Sequence, residues 1–480
     1  MVFQMKLMLR KLAFSAQIIF LSFFLLVGYF PSSLNAEELK VSLEGEMLSV
    51  TAQKVPLQTI LLELAKKGVT VRIDPAINPS ISANFKNRPV EQALETILKP
   101  SSYSLLWEAR PDSANKNVID LAEIQVFQSE RKYLMKALVP KRTLEIAKNS
   151  AGVIYVKDEI ILYLPLGTDL QKLEEFIRAY DASIVYSGKL PGPAKILFQA
   201  NSDIFAIVRE LKNKLNIGIV QPNYAYPLES PVAQRSSSDN QNIDPALYAP
   251  TGNNAPIAIL DSGLADNADL GKFVLSSYDV MNPDALITDT LGHGTQMAFI
   301  ASGIVKPFGS DSFKNSYIPI IPIRAFDDNG YTTDLNILNS INFALANNAK
   351  VMSLSWGSET KSEFMEKSFE YANSQGLFIV ASAGNQATGK PVYPAAYPTV
   401  IGVGALGPHG KTWENSNYGN FVALYAPGFA NLPVGHKGEP GMYAGTSIAA
   451  ALVANSIASF LSENPAATSQ EVQEFLKNKY

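Results

Sequence analysis

The chain contains no cysteine, which removes a thiol nucleophile, a thiolate metal site and any disulfide from consideration. Histidine is scarce as well: His293, His409 and His436 are the only three, and the last two lie in glycine-rich loops. Charge of one sign is also lacking. With 40 Lys and Arg against 44 Asp and Glu, the net charge of -4 gives no electrostatic case for nucleic acid or an anionic membrane surface. Hydrophobic residues make up 47% and charged residues 18%, which argues for a globular chain. At 480 residues it exceeds one ordinary core, so two or three compact units are expected.

What is present begins with an export signal over residues 1–36. Lys6, Arg10 and Lys11 form a basic start, Ile18 to Phe30 is almost wholly apolar, and Ser33-Leu34-Asn35-Ala36 offers a cleavage site. Cleavage after Ala36 would leave Glu37 first. The competing reading is an uncleaved anchor, because Leu12 to Phe30 approaches the roughly 20 residues of a spanning helix. The Pro31-Ser32-Ser33 break favours cleavage, and either reading takes the rest of the chain out of the cytoplasm. Without disulfides, stability there must come from core size, with bound ions as an optional addition.

From Leu39 to about Phe127 the pattern runs strand, helix, strand, strand, helix, strand. Leu57, Ile60, Leu61 and Leu64 recur at helical spacing, as do Val90, Ala93, Leu94 and Ile97. VPLQTILLELAKKGVTVRID and NRPVEQALETILKPSSYSLLWE resemble the short N-terminal domain of secretins and TonB-dependent receptors. The resemblance implies an interaction module over residues 37–130 and an envelope-protein partner. It also implies location in the periplasm, at the outer membrane or outside a Gram-negative cell.

Residues 131–228 read as a second small α+β unit. Leu170, Leu173, Phe176, Ile177 and Tyr180 form one helical stripe and Ile204 to Leu215 another, between extended runs closed by IGIVQPNYAYPL. Residues 229–244, ESPVAQRSSSDNQN and its continuation, are polar and without periodicity, so they read as an exposed linker and as the place where a self-maturing precursor would be cut. Beyond residue 245, apolar strands at Ile257–Leu260, Ile320–Arg324, Val351–Leu354, Phe378–Ser382 and Val400–Val403 alternate with helices. That rhythm predicts an α/β fold, a mostly parallel sheet with helices on both faces, preceded by the two small α+β domains.

Asp261 in ILDSG, His293 in GHGT and Ser447 in AGTS supply a carboxylate, an imidazole and a hydroxyl in that order. Peptide hydrolysis by a serine needs those three roles: a nucleophile, a base that takes its proton, and a carboxylate that fixes the base's tautomer. Each alone has a plainer reading, as turn, structural histidine and helix cap. Asn385 in SAGN is a candidate fourth member, its amide joining the backbone N–H of Ser447 around an oxyanion.

Together these four residues, PIRAFDDNGYTTDLNILNSINFALANNAKVMSLSWG, PVYPAAYPTVIGVGAL and SNYGNFVALYAPG resemble the subtilase family of serine endopeptidases over about Pro256 to Asn478. The resemblance implies that residues 131–228 are a propeptide, both chaperone and inhibitor, and that protein or peptide substrates are the partners. It places substrate along Ser355, Trp356 and Gly357, with Ala383 and Gly384 as another wall and Val392 near the pocket floor, a surface suited to a medium apolar side chain. Catalysis in such a site requires no cofactor. Structural calcium is common in the family and Asp269 in NADL matches a ligating position, but no full ligand set can be assembled. Gln296, Phe299, Trp356, Ser358, Ala451 and Leu452 depart from the family's usual residues. A different class stays open: an inactive member that only binds peptides or docks to an envelope complex.

Overall fold

A computed structural model of the chain describes residues 39–480 apart from short stretches, the longest being 112–116, 139–142, 187–191, 235–242 and 311–315. The export signal and His436 lie outside the described residues. The chain divides into two compact units between residues 140 and 141, where the sequence pattern places a boundary near residue 130.

In the first unit, β1 (Lys40–Glu44), β2 (Met47–Pro56), α1 (Leu57–Ala65), β3 (Thr70–Ile73), β4 (Ser80–Pro89), α2 (Val90–Leu98), β5 (Ser102–Pro111), β6 (Asn117–Phe127) and β7 (Lys136–Ala137) follow in order. They build two sheets, β1-β2-β4 and β5-β6-β3-β7. Both helical stripes read from the sequence point into one core: Leu57, Ile60, Leu61, Leu64, Val90, Ala93, Leu94 and Ile97 are all buried there.

The second unit opens with β8 (Ile146–Lys148), β9 (Ile154–Leu164), α3 (Leu170–Ala179), β10 (Ser183–Tyr186), β11 (Gly192–Leu197), α4 (Ile204–Lys214) and β12 (Ile219–Pro227). Asp169 and Asp203 cap the two helices by accepting the amides of Lys172 and Ala206. β12 pairs with β9 on one side and, through Ala225 to Pro227, with β17 (Tyr331–Thr333) on the other. Through that shared strand, residues 141–228 and the larger sheet domain after them form one body.

Between β12 and β17 lie β13 (Val232–Ala233), β14 (Ile257–Asp261), β15 (Tyr278–Asp279), α5 (His293–Ala301) and β16 (Ile320–Arg324). After β17 come α6 (Asp334–Ala346), β18 (Val351–Leu354), α7 (Glu363–Ser374), β19 (Phe378–Ser382), β20 (Val400–Leu406), β21 (Leu424–Pro427), β22 (Phe429–Leu432), β23 (Gly441–Ala444), α8 (Thr446–Glu463) and α9 (Ser469–Lys479).

A seven-stranded sheet, ordered β15-β16-β14-β18-β19-β20-β21 and parallel at every pairing, forms the centre. Alternate residues of β14 show its two covered faces. Ile257 and Ile259 belong to one core with α5 and α8, Ala258 and Leu260 to another with α6 and α7. The apolar helix α8 is long enough to cross a membrane by composition, but 78% of its span is buried and it is the core helix of this sheet.

Candidate active site

The site forms beyond the carboxyl ends of the central strands, where open parallel sheets bind ligands. Asp261 is the last residue of β14, and His293 opens α5. Gly263 and Gly294 let the two segments touch: a Cβ on Gly263 would stand 1.9 Å from the Thr288 carbonyl oxygen, and one on Gly294 2.3 Å from that of Gly263.

Asp261 Oδ1 lies 2.7 Å from His293 Nδ1, and both side chains are buried. Burial works against the imidazolium, but Asp261, Asp289 and Glu229 outweigh it and leave the His293 pKa raised. The pairing assigns Nδ1 as donor and leaves Nε2 to act as base. Sequence reading missed Asp289. It accepts from Gly292 N at 2.8 Å, Thr295 N at 2.8 Å, Thr295 Oγ1 at 2.7 Å and Ser262 Oγ at 2.9 Å, so one carboxylate ties the loop before His293 to the turn after Asp261.

Ser447 is the second residue of α8, buried in its first turn. Asn385 Oδ1 accepts from Thr446 N at 2.9 Å and Thr446 Oγ1 at 3.0 Å, which fixes the amide so that Nδ2 faces away from both. Ser447 Oγ, His293 Nε2 and Asn385 Nδ2 are all buried without a hydrogen-bond partner. The bond from the hydroxyl to the imidazole is therefore not closed in this structure. Three unsatisfied polar groups are costly in a core, and their coincidence marks this spot as a candidate site.

The chain's own residues 226–234 run through the cleft beside them. Tyr226 pairs with Thr332, Leu228 donates its N–H to Gly330 O at 2.8 Å, and Leu228 forms an antiparallel bridge with Trp356. The strand is thus held between β17 and the Ser355–Gly357 segment, as an added strand. Glu229 turns its side chain into the pocket expected for substrate. Its Oε2 accepts from Asn385 N at 3.2 Å, and a Cβ on Gly384 would stand 3.7 Å from both Glu229 Oε1 and Val392 Cγ2. A Cβ on Gly357 would stand 2.3 Å from Val392 Cγ1, so Gly357 and Val392 close that pocket.

Past Ser230 the chain continues over the nucleophile segment. Pro231 packs on Gly445, Val232 pairs with Ala444, and Gln234 N donates to Met442 O at 2.8 Å. The near end of the stretch expected to be a free linker is thus seated in the cleft, and its residues 235–242 lie outside the described set. An apolar side chain was the expected occupant; the pocket instead holds a carboxyl group, its pKa raised by burial against the opposing pull of the Asn385 N–H and His293.

Asp334, also unforeseen, lies on the other side of this strand. Its Oδ1 accepts from Tyr226 Oη at 2.9 Å and Ser362 Oγ at 2.8 Å, and its Oδ2 from Gln221 Nε2 at 2.9 Å. Burial pushes its carboxyl up to about 7, with those donors pulling the other way. A folded-state pKa raised above the unfolded value means the folded chain holds the proton more tightly, so stability is present at low pH and lost as pH rises through the folded value. His293 and Glu229 are raised too and act with the same sign. For Asp334 the window runs from 3.8 to about 7.

We expect a Ser447→Ala chain to lose resistance to urea between about pH 4 and 7, with a slope approaching about 1.4 kcal/mol per pH unit for each proton. Asp334→Asn should flatten much of that slope. A denaturation midpoint that climbs across the window would contradict the assignment.

The departures from the family's usual residues are accommodated by packing. Phe299 and Ala451 are buried in the core that α5 and α8 share, Leu452 in the same cluster, and Gln296 Nε2 donates to Val434 O at 3.0 Å. Trp356 is fully buried against Tyr226. Asp269 is exposed in a left-handed turn at φ 52°. Among the described residues no group of three or more His, Asp or Glu side chains is placed to hold a metal.

A carboxylate-bound imidazole, a serine at a helix start and a free amide donor, gathered at the carboxyl edge of a parallel sheet, describe a hydrolase built for acyl transfer. Residues 252–480 match the model of the Subtilase family. The subtilisin of Bacillus pumilus is 30% identical over 241 residues, 49% of this chain and 87% of that protein. The thermophilic serine proteinase of Bacillus sp. strain AK1 is 28% identical over 324 residues, 66% of this chain and 80% of that protein. In fold, the chain is similar to fervidolysin from Fervidobacterium pennivorans, a keratinolytic enzyme related to subtilisin, with a TM-score of 0.55, 23% identity, and 71% of this chain and 60% of that one covered. The chain belongs to the subtilase family and is a subtilisin-like serine proteinase.

Proposed function

We propose that the protein is an exported endopeptidase made as a precursor, with Asp261, His293, Ser447 and Asn385 as its catalytic set and the Glu229–Ser230 bond as its first substrate. The observation that carries this reading is residues 226–228 pairing before the Glu229–Ser230 bond and residues 232–234 pairing after it. In the first step His293 Nε2 takes the Ser447 hydroxyl proton as Oγ bonds the Glu229 carbonyl carbon. Asn385 Nδ2 and the Ser447 N–H then hold the oxyanion. The proton passes to the Ser230 nitrogen as the peptide bond breaks, and water hydrolyses the acyl-enzyme.

Residues 141–229 are the propeptide in this reading. The likeness to the AK1 proteinase supports it by covering more of the chain than residues 252–480. The first unit is a docking module for an envelope protein, and no cofactor takes part. A fluorophosphonate probe should label the wild type once it has matured and leave Ser447→Ala unlabelled. Equal labelling of both would refute Ser447 as nucleophile.

A further inference from the structure

We infer that Asp334 makes the fourth position before the cleaved bond selective for tyrosine over phenylalanine, so that favoured peptide substrates carry a phenolic hydroxyl there. The inference rests on the proposed peptidase reading with Glu229 as the residue before the cut, which makes Tyr226 the fourth. Tyr226 is fully buried, its ring 5.3 Å from that of Trp356, which stands edge-on to Phe326 at 6.2 Å. An aromatic wall of this kind accepts phenylalanine as readily as tyrosine. The phenolic hydroxyl tells the two apart: it donates to Asp334 Oδ1 at 2.9 Å and has the Ser362 side chain as a further partner.

Asp334 is 1% exposed, so what it bonds to decides whether the pocket is stable. In the precursor its donors are Tyr226 Oη, Ser362 Oγ, Gln221 Nε2 and the Tyr224 N–H. Gln221 and Tyr224 lie before the proposed cut and depart with the propeptide, and a peptide beginning at the fourth position brings no replacement. Ser362 Oγ stays, itself accepting from Met365 N at 3.0 Å. The phenol is then the one donor that arrives with substrate. Phenylalanine would lay an apolar ring edge against a carboxylate stripped of water, and sites built for a substrate hydroxyl reject the analogue that lacks it. Asp334 is also the first residue of α6, where the helix dipole favours a negative charge.

The test compares kcat/KM for the peptide with the sequence of residues 226–233, Tyr-Pro-Leu-Glu-Ser-Pro-Val-Ala, against its Phe-first counterpart. It uses the full chain after maturation, at pH 8, with the cut located by mass spectrometry. Wild type should favour the Tyr peptide by roughly 10- to 100-fold, the effect of a hydrogen bond to a charged group. Asp334→Asn should shrink the ratio to about a few-fold and Asp334→Leu should invert it, as neutral and apolar replacements of the acceptor. Both peptides are measured on one preparation, so the ratio is independent of how much variant folds. A wild-type ratio near one, or a ratio untouched by Asp334→Leu, with cutting retained between Glu and Ser, overturns the inference and leaves the peptidase reading standing. Failure to cut either peptide in a Ser447-dependent way overturns both.

Discussion

Ser447→Ala is expected to lower turnover by about 10⁶-fold, the scale measured when a subtilisin loses its serine and here borrowed from that enzyme. The variant should also accumulate as an uncut precursor. The hydroxyl stands in the first turn of α8, buried without a partner like His293 Nε2, and in the proposed reaction alanine removes the atom that bonds the Glu229 carbonyl carbon. Its helix should survive, because alanine suits the first turn of a helix already rich in alanine. Kinetic assay and intact mass together check this. A Ser447→Ala chain that still matured without added protease would contradict it.

Asn385→Ala should cost about 10² to 10³ in kcat with little change in KM, the range found for the oxyanion asparagine of a subtilisin and carried over from that enzyme. The reasoning here is local. Asn385 Nδ2 is buried and unpartnered while Oδ1 is locked onto Thr446, so the amide's one free capacity is to donate into the cleft. Asn385→Asp keeps the acceptor for Thr446 but sets a second oxygen where the donor stood, and should lower kcat further than alanine. Steady-state kinetics on mature enzyme decide it. A fall confined to KM would mean the residue binds substrate and does not stabilise the transition state.

Much of the architecture was legible because it rests on local pattern. β14 reads IAILD, four apolar residues closed by Asp261, and all five are buried. The stripes on α1 and α2 name their own buried faces, as do Leu173, Phe176 and Ile177 on α3, whose Leu170 is instead exposed. His293, Asp261, Ser447 and Asn385 could be singled out as candidates because each sits in a short glycine-marked motif at an element's edge. What escaped was set by pairing across the chain. Asp289 is four residues from His293 and looks like a turn aspartate until five donors converge on it.

Asp334 begins a helix, which is a bland place for an acid, and its importance comes from Gln221 and Tyr226, more than a hundred residues earlier. Composition also misled at Glu229. ESPVAQ is polar and free of periodicity, but an extended segment finds backbone partners whatever its sequence, so residues 232–234 are held by their main chain and Glu229 by the Asn385 N–H on its carboxyl group.

Self-maturation by Ser447 is tested most directly by the N-terminus of the active enzyme, read by sequencing or intact mass after wild type and Ser447→Ala mature side by side. A mature chain starting at Ser230 is expected from wild type, and no such product from Ser447→Ala. A fully active chain that still starts at Glu37 would contradict it.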